Sequence, residues 1–261
     1  MPGCRAGVLL KRKAWSIHSA PLSVLGLLVC LATPTRASEP SFCTETPSGG
    51  APSLSLGRPS EGHLQGARAL ESGPSVRLLP LRHVQRCLNF GTERLVQALR
   101  RAGEVVERRF PGSPPLGVGD LSKARGGRIF PYSHSHQSGR DADLAFYATD
   151  GKGRPVPLDD LLAFGPSGEA RGRPLKFDSG RTWMLVRALL EDREITVQWL
   201  FISRPLRAAL LAEADRSGAP TPLVQRAAQV LHQPSDAPPH ADHLHLRITC
   251  SEEERRVGCR S

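Results

Sequence analysis

Residues 238–250 read PPHADHLHLRITC, and from His243 onward polar and apolar side chains alternate. Alternation with period two marks a strand that buries one face. Leu244, Leu246, Ile248 and Cys250 fall on the apolar face, and His243, His245, Arg247 and Thr249 on the polar one. Two imidazoles two residues apart on a rigid face can place a metal ligand beside a second group acting on metal-bound water.

A second polar cluster, YSHSHQSGRDAD, spans residues 132–143. Residues 141–147 alternate and are expected as a strand, with Asp143 on the face opposite Leu144 and Phe146. His136 precedes that strand across Ser138 and Gly139, a turn that can fold its imidazole back toward Asp143. His136, Asp143 and His245 together are a suitable zinc set, since three protein ligands leave a fourth position for water. Zinc there would lower the pKa of the water and polarise a carbonyl. Around this set, His134 reads as a solvated loop histidine or a group near the metal. His240 and Asp242 read as groups backing the ligands or lining a cleft. Arg247 reads as a partner for a substrate carboxylate or as half of an internal ion pair, and Arg140 and Asp141 as support for the ligands or as a solvated turn.

Further from the two clusters the pattern is mixed. Thr92 is placed to cap a helix through Arg109, ended by Pro111. Asp178 or Ser179 can cap a helix carrying Trp183, Val186, Leu189 and Leu190. Residues 195–202 (ITVQWLFI) read as a strand, Ser203 as the cap of a helix ending near Gly218, and Thr221 with Pro222 as the start of another running to about His232. Trp183 and Trp199 sit among apolar neighbours and read as core. Strands and helices follow no βαβ rhythm, so the expected fold is α+β, with helices packed around a largely antiparallel sheet that carries the metal site.

The chain has 261 residues and a formal charge of +10. A basic segment (Arg5, Lys11, Arg12, Lys13) precedes the apolar run PLSVLGLLVCLAT at 21–33, and Thr35-Arg36-Ala37 resembles a cleavage site. Residues 1–37 are therefore expected as a signal peptide, with an uncleaved anchor as the alternative. Removing five basic residues and no acidic one would halve the charge to +5. That weakens any case for a nucleic-acid partner and suits a polyanionic wall. Residues 38–75 are rich in Ser, Pro and Gly and read as a linker, which puts the folded domain at 76–261. Cys43, Cys87, Cys250 and Cys259 remain after cleavage. In an exported chain they are expected to oxidise, as Cys87–Cys250 and Cys43–Cys259 if body pairs with body and tail with tail.

The segments 135–144 (SHQSGRDADL), 197–203 (VQWLFIS) and 240–248 (HADHLHLRI) resemble the penicillin-insensitive murein endopeptidases of the lysostaphin and D-alanyl-D-alanine metallopeptidase superfamily. The resemblance implies a zinc endopeptidase that cuts peptide cross-links of peptidoglycan in the periplasm or outside the cell, with contact to the membrane only through the signal segment. It makes His136, Asp143 and His245 the zinc ligands and His243 the catalytic histidine. Those endopeptidases carry a further histidine three residues before the first ligand, where this chain has Ser133. The rival readings are a D-alanyl-D-alanine carboxypeptidase or dipeptidase of the same superfamily and a non-catalytic wall-binding protein. The carboxypeptidases place a glutamate where Asp242 stands.

Overall fold

The computed structural model describes residues 51–261; the expected signal segment and residues 38–50 of the expected linker lie outside the described residues. Strands β1 (Leu54–Arg58) and β2 (Glu61–Gln65) form an antiparallel hairpin. Next come β3 (Arg68–Ala69), β4 (Val76–Leu78), helix α1 (Pro80–Arg86) and β5 (Phe90–Gly91), with β3 paired to β5. Helix α2 (Glu93–Arg109), β6 (Leu116–Val118) and β7 (Asp141–Ala145) follow. A small sheet of β8 (Ala148–Thr149), β9 (Pro155–Val156) and β10 (Lys176–Phe177) precedes α3 (Ser179–Leu190). The chain continues through β11 (Val197–Phe201), α4 (Arg204–Arg216), α5 (Thr221–Val230), β12 (Leu231–His232), β13 (His243–Ile248) and α6 (Glu252–Arg256).

Six strands form the main sheet in the order β12-β11-β13-β7-β6-β4. The three central pairings are antiparallel, and the outer two, β12 with β11 and β4 with β6, are parallel. The fold is α+β as expected, but the sheet is mixed. Leu144, Leu244, Leu246 and Ile248 turn one face of this sheet into the main core, together with Leu95 and Leu99 of α2 and Trp183 and Val186 of α3. Thr92 caps α2 by accepting from the Leu95 N–H, and Asp178 caps α3 by accepting from the Arg181 N–H. The helix expected to reach His232 stops at Val230, because Leu231 and His232 pair with Leu200 and Phe201 as an edge strand.

The ordered body begins well before residue 76. Leu54, Leu64, Ala67 and Leu70 are buried, and Leu64 and Ala67 form a small cluster with Phe90 and Ala124. Each strand of the hairpin contributes few apolar side chains, so its composition resembles a linker. Its backbone is satisfied by distant chain: Gly57 N–H donates to Gly258 and Arg260 N–H donates to Gly57. Buried Arg140 completes the junction by donating to Ser55 Oγ (2.9 Å) and to the carbonyls of Ile248 (2.8 Å) and Arg260 (2.7 Å). Arg140 is thus neither a solvated turn nor a ligand support.

The disulfide pairing also differs from expectation. Cys250 bonds to Cys259, nine residues on, rather than to Cys87. The reason is α6: Ser251 and Glu254 form a reciprocal capping box that turns the chain straight after β13 and brings Cys259 back to within 6.0 Å, Cα to Cα, of Cys250. Cys87 is disulfide-bonded as well, and Cys43 lies outside the described residues.

Candidate metal centre

The site lies on the sheet face opposite the core. Register aligns His245 with Asp143 and Arg247 with Asp141 across β13 and β7. It also aligns Phe201 with His245 and Trp199 with Arg247 across β11 and β13. Facing cross-strand residues share one side of a sheet, so these six side chains make a continuous surface. His243 joins it from the start of β13.

His136 arrives from the loop before β7. It is a buried, non-glycine residue at φ +64°, a conformation that costs on the order of 1–3 kcal/mol unless its surroundings impose it. They do so through the hairpin: Gln137 N–H donates to Pro59 (3.0 Å), and Gly127 N–H donates to Gln137 (2.8 Å). Gly139, at φ +72°, leaves room for Leu64 of β2, whose side chain lies where a Cβ would be.

The loop brings His136 Nε2 to 3.2 Å from Asp143 Oδ1. His245 Nδ1 is 3.2 Å from the same oxygen, and His243 Nε2 is 3.3 Å from it. None of these approaches has hydrogen-bond geometry, and Asp143 Oδ1 is buried without a hydrogen-bond partner. His136, Asp143 and His245 can hold one metal ion, all three being buried, and His240, His243 and His245 form an overlapping group. The far nitrogens of His245 and His243 are anchored, whereas His136 Nδ1 is buried without a hydrogen-bond partner. His245 Nε2 donates to Asp141 Oδ1 (2.8 Å), which also accepts from Arg247 Nε (2.6 Å). His243 Nδ1 donates to Asp242 Oδ1 (2.7 Å).

Charge follows this geometry. Burial penalises the Asp143 carboxylate, but His136 and His243 outweigh it and hold the group well below the usual carboxylate range. Asp141 is held low in the same way, against burial, by Arg247 and His245. Burial pulls His136 down, and Asp143 more than restores it. His243 is pushed up to about 10, with Asp143 and Asp242 overcoming burial. Burial and the like charges of His243 and His245 push His240 down to about 4. Buried carboxylates that draw positive charge inward are what a divalent cation needs.

The remaining expected residues divide. His240 lies with its ring 4.9 Å from that of His243 and 5.5 Å from that of His245, between centroids. His134 is exposed and stays outside the cluster. Trp183 is buried, but Trp199 is half-buried on the site face rather than in the core. Asp120 and Arg82 were not legible as neighbours of the site: the Asp120 carbonyl accepts from Asp143 N–H (3.0 Å), and Arg82 pairs with the Asp120 carboxylate (3.3 Å). Sequence holds no local signal for them, because Asp120 lies in a Gly- and Pro-rich loop.

Residues 55–158 match the family model for penicillin-insensitive murein endopeptidases. It is the family that the sequence resembles, and its chemistry is peptide hydrolysis in murein, outside the cytoplasm. The match includes His136 and Asp143 and begins at the hairpin rather than at residue 76. No curated protein matches the chain. Among the described residues no helix is long and apolar enough to cross a membrane.

Proposed function

We propose that the chain is a zinc-dependent endopeptidase that hydrolyses peptide cross-links of peptidoglycan after export and removal of residues 1–37. The observation that carries this reading is the convergence of the His136, His243 and His245 nitrogens on one buried, unpaired carboxylate oxygen of Asp143. Two imidazoles and a carboxylate, His136, His245 and Asp143, suit zinc, and three protein ligands would leave a fourth position for water. Zinc held there would supply Lewis acidity to water and to the scissile carbonyl.

The chain's own residues do the rest. Asp141 accepts the Nε2 proton of His245 and so turns the Nδ1 lone pair to the site. Arg247 neutralises Asp141 from the other side. Asp143 and Asp242 together hold His243 protonated when Asp143 carries its full charge. With that charge engaged by zinc, Asp242 would keep the proton on Nδ1 and leave Nε2, facing the site, free to accept a proton from water and pass it to the leaving amine. Engagement with His243 also takes Asp242 away from the base role that a carboxypeptidase's glutamate would fill, so the endopeptidase reading is preferred. Digestion of purified peptidoglycan, with mass analysis of the products, tests it. Cross-linked muropeptides should fall to monomers, and a chelator should stop the reaction. Release of terminal D-alanine alone would shift the reading to a carboxypeptidase.

A further inference from the structure

Beside the metal centre, on the same sheet face, lies an aromatic shelf that the hydrolysis does not use. Trp199 and Phe201 stack with ring centroids 6.1 Å apart and planes 23° apart. His232 of β12 adds its ring 5.6 Å from Trp199 and is exposed. The shelf is continuous with the site: Phe201 meets the His245 ring at 5.3 Å, edge on, and the Arg247 guanidinium sits 5.5 Å over Phe201. In β11 the core face is filled by Leu200 and, across a register shift between Val197 and Trp199, by Val197, so Trp199 and Phe201 stand on the opposite face and are not part of the core.

We infer that this shelf binds the glycan strand that bears the peptide to be cut, with Trp199 stacking on the face of a pyranose ring. The inference rests on the reading of the substrate as peptidoglycan. A sugar ring offers a flat C–H face, and a half-exposed indole stacked on a second ring is a rigid apolar plane suited to it. Its position agrees. The scissile peptide bond belongs beside His245, and the glycan is joined to it through a short stem peptide, each residue of which spans at most about 3.5 Å. The shelf begins one ring from His245 and runs toward the sheet edge at β12, away from Asp143. A peptide strand docking at this edge would seek a long run of backbone groups, and β12 has two residues.

The test is a fluorescence titration of the protein and of its Trp199→Phe variant with an N-acetylglucosamine oligosaccharide and, separately, with a sugar-free cross-linked stem peptide. The oligosaccharide should change indole emission in the parent and not in the variant. The sugar-free peptide should leave the Trp199 signal unchanged. In turnover, Trp199→Ala should raise KM on intact sacculi by about tenfold, the loss of one stacking contact, and much more than on the sugar-free substrate. No oligosaccharide response in the parent overturns the inference, as does an equal loss on both substrates. An oligosaccharide response in a protein that cuts no cross-link would keep the shelf and remove the endopeptidase, so the two readings fail separately.

Discussion

At Asp143 a single carboxylate oxygen meets three imidazoles, and each neighbour has a distinct expected effect. His136→Ala, Asp143→Ala and His245→Ala should each lose stoichiometric zinc, measured by elemental analysis of folded protein. Near-stoichiometric zinc in His245→Ala would remove that residue from the ligand set. His243→Ala is expected to keep zinc and lose on the order of 10²-fold or more in turnover, the usual worth of a positioned general base. A wild-type rate in that variant would transfer the role to His240, whose ring lies 4.9 Å away. Asp143, His243 and His245 could be placed on strand faces beforehand, because a period of two assigns faces without any tertiary information, whereas His136 lies in a loop and was reached only through the turn at Ser138 and Gly139. Asp141 was only half legible. Its place beside Asp143 suggested support, but its bond to His245 depends on a register that no local pattern states.

Among the elements, the β1–β2 hairpin has the least expected role. Composition reads it as linker, yet it holds the His136 loop through Pro59 and Leu64. Leu64→Ala should cost about 2–5 kcal/mol if the small cluster around it cannot collapse. It should also lower zinc affinity, because His136 loses its support. Denaturant unfolding and a zinc competition titration, run on the same variant, check both. Lost stability with unchanged zinc affinity would show that the hairpin is only a cover. The short helix α6 carries the same lesson in its pairing of Cys250 with Cys259. A capping box that reverses the chain makes the local bridge geometrically available, whereas loop-entropy reasoning alone favours the long one.

Across the whole molecule, partly buried ion pairs join segments far apart in sequence. Asp192 sits between α3 and β11 and accepts from Arg101 of α2 at 2.7 and 3.0 Å. Burial would raise its pKa, but Arg101 and the Glu194 N–H lower it below 3.8. A carboxyl depressed on folding stabilises above its unfolded pKa and stops doing so as pH falls through the folded value. Asp192→Asn should therefore cost about 1–2 kcal/mol at pH 7, and the gap to wild type should narrow below about pH 3.8. Urea unfolding of both proteins at the two pH values measures this, and a gap independent of pH would assign the cost to packing. At this scale the division between sequence and structure has one physical cause. Periodicity, caps and turns act within a few residues, so the faces of β7 and β13, the caps Thr92 and Asp178, and the separate pairs His136 with Asp143 and His243 with His245 could be read from the chain alone, while their meeting depends on the pairing of β13 with β7. Contacts such as Ser55 N–H to Glu254, 199 residues apart, leave no local trace. The linker that is a hairpin, the Trp199 shelf, the Arg140 clamp and the mixed sheet were all decided by which distant segments meet.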